Sequence, residues 1–393
     1  MAHPAISLLQ RPERIVAGLM SGTSLDGVDA VIVRVQGSGR ALELTTLAFV
    51  SQAYDGAIRE ALHWAVEVER SDVRLVSQLH VRLAHVFADV VEAALREVGL
   101  ATVDLDLVGS HGQTVQHVPD AEPVAGNPTR STLQLGCPAT LAVRLGTPVV
   151  SDFRAADMAL GGQGAPLVPY LDDALFASAE ETRGLLNLGG IANLTVLPKG
   201  SGPDAIVAFD TGPSNMLIDA LAQRLFDRPY DASGALASQG TPDDALVDRL
   251  LGEAYFQREP PKSTGREAFG GAYVERLLKA GPTAPHDLLA TVTALTARSV
   301  YDAYQRFVSP HHRLDRLIAS GGGVHNAGLM RQLEALFAPI PVETTTAYGL
   351  DPDAKEAGLF AVLAHEWANG VPTNVPSVTG ASRPALLGSL TMP

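Results

Sequence analysis

The sequence is short of cysteine, of positive charge and of long apolar runs, and each shortage removes a class of protein. Cys137 is the one cysteine in 393 residues, which excludes an internal disulfide and any cysteine-rich zinc site and fits a reducing compartment. Lysine and arginine total 29 against 43 aspartates and glutamates, a formal net charge of −14. A nucleic-acid groove or a site for an anionic membrane surface needs a basic face, so neither partner is expected. Residues 1–14 hold only a short apolar stretch broken by charge and proline, and nothing elsewhere approaches the roughly 20 apolar residues of a membrane span. A cytoplasmic protein is expected. What is present is an ordinary globular composition, 46% hydrophobic and 18% charged, in a chain long enough for two domains.

The chain is organised around residues 15–29. An apolar run ends at Met20, a turn of glycine and small hydroxylated residues follows, and residues 29–35 read as a second strand. Small residues at 21–24 let backbone N–H groups converge on an anion, and hydroxyls add donors. A phosphate chain is the natural guest, and a plain hairpin turn is the competing reading. No Gly-Lys-Ser/Thr follows, so this is not a Walker loop; the next element is a strand, which excludes a dinucleotide fingerprint.

Residues 42–50 make a third strand. Ser71 is expected to cap a long helix with Asp72 in its first turn and an apolar stripe of Val76, Leu79, Leu83, Val86, Phe87, Val90 and Ala94; His80 and His85 read as surface residues. A strand at 105–109 runs into Ser110-His111-Gly112-Gln113-Thr114, and residues 118–132 read as a Pro/Gly/Asn-rich loop, a lid or a variable insertion. Strands at 132–135 and 147–151 lead to Asp152-Phe153-Arg154 and the glycine-rich stretch 161–166. From residue 183 the opening repeats: strand 184–188, the turn Gly189-Gly190, strands 194–197 and 206–209, then Asp210-Thr211-Gly212 and a helix over 216–226. Thr241 is expected to cap a helix with Pro242 at its first position, and residues 287–308 read as one long helix. A strand at 315–319 enters Ser320-Gly321-Gly322-Gly323. Two halves of strand-strand-strand-helix-strand-helix predict a duplicated α/β architecture with glycine-rich strand ends converging on a cleft.

The motifs Gly18-Leu19-Met20-Ser21-Gly22-Thr23-Ser24-Leu25-Asp26-Gly27-Val28-Asp29, His111-Gly112-Gln113-Thr114, Asp152-Phe153-Arg154, Gly161-Gly162-Gln163-Gly164-Ala165-Pro166, Asn187-Leu188-Gly189-Gly190, Phe209-Asp210-Thr211-Gly212-Pro213, Pro261-Lys262-Ser263-Thr264-Gly265, Ser320-Gly321-Gly322-Gly323 and Pro376-Ser377-Val378-Thr379-Gly380 together resemble the anhydro-N-acetylmuramic acid kinases. The resemblance spans nearly the whole chain in the same order. It implies an α/β fold of two ribonuclease-H-like (actin-like ATPase) domains flanking a central cleft, the first made of residues 1–135 plus 371–393 and the second of 136–370. It also implies the reaction of ATP and water with 1,6-anhydro-N-acetylmuramic acid, giving N-acetylmuramic acid 6-phosphate and ADP during cell-wall recycling. An ordinary sugar kinase of the same fold, phosphorylating a hydroxyl directly, and a non-catalytic actin-like ATPase are the competing classes.

Under that resemblance Asp152 is the catalytic base, where a helix N-cap or a partner for Arg154 is the competing role. ATP falls to Gly22, Thr23, Ser24, Leu25, Asp26, Gly27, Val28 and Asp29 on one side and Asp210, Thr211 and Gly212 on the other, with Gly321, Gly322 and Gly323 against the adenosine. Mg²⁺ is expected with it, reached through water by Asp26 or Asp210, for each of which a turn-stabilising role is the alternative. His111, Gln113, Arg154, Ser263 and Thr264 are the candidates for the hydroxyl, amide and lactyl groups of the amino sugar, Arg154 because a guanidinium fork matches a carboxylate. Glu356 reads as a helix-surface acid, with a supporting role near the Gly321–Gly323 region as the competing reading. No other partner is implied, a homodimer is left open, and the tail from residue 373 is expected to pack on the first domain.

Overall fold

Four consecutive apolar residues, Ala30-Val31-Ile32-Val33, are fully buried, the mark of a strand covered on both faces. They lie in β2 (Gly27–Gln36), which pairs antiparallel with β1 (Glu13–Ser21) and β3 (Glu43–Ala53). In the computed structural model, residues 4–393 are described except Thr23, Val68 and Thr283. The chain divides into two units, Met1–Leu175 with Gly349–Pro393, and Phe176–Tyr348.

In the first unit, β4 (Leu107–Val124) runs parallel to β1, and β6 (Val149–Ser151) parallel to β4, while β5 (Asn127–Leu135) pairs antiparallel with the outer part of β4. The C-terminal strand Ser389–Thr391 closes the edge on β6, so the tail packs where it was expected. Helix Val73–Glu97 covers one face with the stripe that its periodicity predicts, but its cap is Asp72, whose side chain accepts the Leu75 N–H, and not Ser71. His80, expected on the surface, accepts the Gly136 N–H at Nδ1.

Helix Lys355–Asn369 covers the other face. It lies directly on β1 and β4 because Gly18 and Gly109 carry no side chain; a Cβ there would collide with the carbonyls of Ala357 and Phe360. This packing and the β4–β6 ladder correct the expected domain limits. Residues 136–175 and 349–370 belong with the first unit, so the boundaries fall at 175/176 and 348/349 instead of 135/136 and 370/371.

The expected loop over 118–132 is also corrected. β4 continues to Val124, and the turn Ala125-Gly126, with φ of 49° and 82°, returns the chain into β5. The prolines that argued for a loop sit in an arm of two strands with open edges, where a missing N–H is tolerated.

In the second unit, β7 (Arg183–Leu188), β8 (Ile191–Leu197) and β9 (Val207–Pro213) form an antiparallel meander, with β10 (Arg316–Ser320) parallel to β7 and β11 (Val342–Thr344) parallel to β10. Its order, β11-β10-β7-β8-β9, repeats the β6-β4-β1-β2-β3 order of the first unit, the duplicated ribonuclease-H-like plan expected of the sequence. Asp243, not Thr241, caps helix Asp244–Leu251. The expected helix over 287–308 is Pro285–Ala303 followed by a π-helical turn at Tyr304–Val308.

Candidate functional site

Parallel strands end at a common edge, and ligands of open α/β sheets gather there. In the first unit Leu19 is level with Ser110, and Ser110 with Ser151, so the turn after β1, residues 111–113 of β4 and Asp152 after β6 share one edge. In the second unit the ends of β7, β9 and β10 do the same, bringing together Gly189-Gly190, Asp210-Thr211-Gly212 and Gly321-Gly322-Gly323.

The first turn is held from beneath by Gln113. This side chain is fully buried; its Nε2 donates to the carbonyls of Gly22 (2.7 Å) and Thr114 (3.1 Å), and its Oε1 lies 2.6 Å from Ser21 Oγ. Every polar atom is thus spent inside the protein, and the expectation that Gln113 meets the sugar gives way to a role in shaping the loop. Of the residues assigned to ATP here, Leu25 and Val28 point into the core and Gly27 is closed against the Gln52 carbonyl. Their side chains offer a ligand nothing, which leaves the backbone and hydroxyls near Gly22 and Ser24. Ser24 Oγ donates to Asp26 Oδ1 (2.6 Å), and Thr23 lies outside the described residues. Asp29 is half-buried, its carboxyl raised first by burial, against a Ser51 hydrogen bond that lowers it.

Buried His111 donates Nδ1–H to the Gly112 carbonyl (2.7 Å), leaving Nε2 to accept the Arg154 Nε–H (3.0 Å). Burial, then the neighbouring guanidinium, holds its pKa well below the usual imidazole range, so the ring is neutral. Arg154 also donates Nη1–H to the Gly164 carbonyl (2.7 Å). Burial lowers its pKa to about 10, opposed first by Glu356 and then by Asp157. Glu356, read from the sequence as a surface acid, is therefore the leading counter-charge of this arginine.

Asp157 had no place in the sequence reading. It is fully buried, accepting the Gly164 N–H (2.8 Å) at Oδ2, and the Asn374 Nδ2–H (2.8 Å) and Thr379 Oγ–H (2.7 Å) at Oδ1. Gly162 packs so closely on it that a Cβ would collide with Oδ2. The available signal was a lone acid one helical turn before a glycine run, tied to a hydroxyl-rich tail motif.

Asp152 differs from all of these. It has φ of 61°, a left-handed conformation that aspartate adopts more readily than most residues, and its carboxylate is open to solvent. No hydrogen bond or ion pair with the described residues engages that carboxylate, while partial desolvation raises its pKa. The competing roles fail: helix Ala155–Ala159 has no side-chain cap, and Arg154 is bonded to His111 and Gly164. Beyond that helix lies a cavity of about 660 Å³, walled by Thr129, Arg130 and Thr132 of the β4–β5 arm and by Ala155 and Met158.

In the second unit Asp210 stabilises a turn. Its Oδ1 accepts the Asn193 Nδ2–H (2.9 Å), its Oδ2 the Thr264 N–H (2.9 Å), and its carbonyl the Tyr255 hydroxyl (2.8 Å). Thr211 donates its hydroxyl to the Ala192 carbonyl (3.2 Å). Gly212, at φ of 155°, faces the Phe256 ring too closely for a side chain. Ser263 is exposed, and Thr264 meets Asp210 through its backbone. Beside them Lys262 is buried, its Nζ over the rings of Phe307 (4.8 Å) and Tyr255 (5.0 Å) and near the Phe256 carbonyl (3.3 Å); burial lowers its pKa to about 8. Gly321, at φ of 82°, seats the third turn on β7, where a Cβ would come within 2.6 Å of Asn187 Oδ1.

Among the described residues, no cluster of three or more histidine, cysteine, aspartate or glutamate side chains is arranged to hold a metal ion, and no helix is long and apolar enough to cross a membrane. The model of the family described as anhydro-N-acetylmuramic acid kinase matches residues 14–393. The anhydro-N-acetylmuramic acid kinase of Salinibacter ruber is 57% identical, over 99% of this chain and 98% of its own length. Those of Caldanaerobacter subterraneus and of a Bacillus cereus strain are 40% and 41% identical, over 98% and 96% of this chain and 99% of each of theirs. Likeness of that extent, running through every glycine turn and strand end described above, means that the chain belongs to the anhydro-N-acetylmuramic acid kinase family.

Proposed function

We propose that the chain is a cytoplasmic, ATP-dependent kinase that opens 1,6-anhydro-N-acetylmuramic acid with water and phosphorylates O6, giving N-acetylmuramic acid 6-phosphate and ADP in peptidoglycan recycling. The observation that carries the reading is the unengaged Asp152 carboxylate at the end of β6. Water attacks the anomeric carbon, and Asp152 takes its proton. The bridging oxygen leaves that carbon with the bond electrons and receives the γ-phosphoryl group. A carboxyl pKa raised toward the working pH makes the stronger base of two ionised aspartates.

In each unit the glycine turns offer phosphates backbone N–H groups: Gly22 and Ser24 in the first, and the Asp210–Gly212 and Gly321–Gly323 turns in the second. Mg²⁺ suits such a site because it keeps most of its waters and needs few protein ligands; Asp26 would meet it through water, and the ion would neutralise phosphate charge. Asp210, with both carboxylate oxygens engaged, supports the turn. His111 and Arg154, locked together, form a wall of the sugar site.

The reaction in ¹⁸O-labelled water tests this. Label on the anomeric carbon of the product is expected. Phosphorylated sugar without label would mean an ordinary kinase acting on a hydroxyl, and ATP hydrolysis without sugar phosphate would mean a non-catalytic ATPase role.

A further inference from the structure

Asp219 is a charged group that this reaction leaves unused. It lies on helix Asn215–Phe226, whose Leu217, Ile218, Leu221 and Ala222 face the core. One turn earlier, Asn215 donates its Nδ2–H to the Leu188 carbonyl (3.1 Å), and a Cβ added to Gly323 would stand 3.2 Å from its Oδ1. Helical spacing therefore sets Asp219 on the same face as a residue already packed on the third glycine turn. Near enough to act on its charge is Asp231, whose own oxygens accept the Leu236 (2.7 Å) and Ala237 (3.0 Å) N–H groups. The turn after Asp231 brings Gly234 hard against Asn326, which caps helix Ala327–Phe337 beyond the glycines. Asp219 thus neighbours two segments that both abut residues 321–326.

No hydrogen bond or ion pair with the described residues satisfies this half-buried carboxylate, and burial, then Asp231, pushes its pKa up to about 6. An ionised acid so placed lacks donors. Among the described residues, no cluster of three or more histidine, cysteine, aspartate or glutamate side chains is arranged around it to hold a metal ion. A pair of adjacent hydroxyls supplies two parallel donors to one carboxylate.

We propose that Asp219 receives the 2′- and 3′-hydroxyls of the nucleotide ribose, which makes it the residue that selects ribonucleotides. This rests on the reading of Gly321–Gly323 as a nucleotide turn.

The test measures Kd by calorimetry for ATP, 2′-deoxy-ATP and 3′-deoxy-ATP with the full chain. Wild-type protein is expected to bind each deoxynucleotide about tenfold or more weaker than ATP, since a hydrogen bond to a charged acceptor is lost. Asp219→Ala is expected to bind all three alike, and Asp219→Asn to discriminate weakly. Discrimination that survives in Asp219→Ala overturns the assignment, as does wild-type protein that binds ATP and both deoxynucleotides equally. Wild-type protein that binds no ATP overturns the kinase reading and this one with it.

Discussion

The guanidinium of Arg154 bridges the Nε2 of His111, 3.0 Å away, and the carbonyl of Gly164, so one half-buried cation ties strand β4 to the glycine loop that follows Asp152. A lysine can reach one of these acceptors and not both. Arg154→Lys is expected to lower kcat/KM at least about tenfold through misplacement of the loop. Because His111 is held neutral, the wild-type pH–rate profile is expected to show no imidazole inflection between pH 6 and 8. An inflection there that vanished in His111→Gln would place a charged histidine in the reaction.

Asp152 should own the acid limb. A base acts when ionised, and desolvation lifts this carboxyl above its ordinary value. Activity should therefore fall as pH drops through a midpoint above the usual carboxylate range. Asp152→Asn is expected to reduce kcat by ~10²–10⁴. Asparagine also accepts the φ of 61°, so melting temperature and ATP affinity should hold. A parallel loss of melting temperature would mean that Asp152 serves the fold.

The repeated strand pattern and the glycine turns were legible in the sequence because strand periodicity and small-residue runs are local signals. So was the position of Asp152 directly after a strand. The domain limits were not, since helix Lys355–Asn369 joins the first unit only through the bare faces of Gly18 and Gly109, more than 200 residues away in the chain. Nor was the burial of Gln113 or Asp157: a polar residue in a loop motif reads as a ligand-facing group until its partners, such as Asn374 and Thr379, are known. The β4–β5 arm was misread because Pro119, Pro123 and Pro128 interrupt it, and prolines on open edges look like prolines in loops.

The Gly109 contact is testable through stability alone. A methyl group at this position meets the Phe360 carbonyl, so the helix must lift from the sheet along its middle. Gly109→Ala is expected to destabilise the first unit by about 3 kcal/mol or more, as overpacking of a rigid backbone contact does. Urea unfolding followed by the circular dichroism of the whole chain would register it as an early transition. An unchanged midpoint would mean that the helix has room to spare.

Asp219 carries a cost that its proposed ligand would relieve. Its folded pKa of about 6 exceeds the ordinary aspartate value, so between roughly pH 4 and 6 the folded chain binds more protons than the unfolded one. Stability therefore falls as pH rises through that window, and at neutral pH the ionised carboxylate destabilises the fold. Asp219→Asn should be more stable than wild type at pH 7 by about 1 kcal/mol, a figure already reduced for the solvent that screens this partly exposed side chain, and equal to it below pH 4. Urea titrations of both proteins at pH 4 and pH 7 measure the difference. Saturating ATP should then narrow the gap at pH 7, because the ribose donors stabilise the wild-type carboxylate more than the amide. A gap that ATP leaves untouched would make Asp219 a merely awkward residue, whereas one that closes shows stability exchanged for ligand selection.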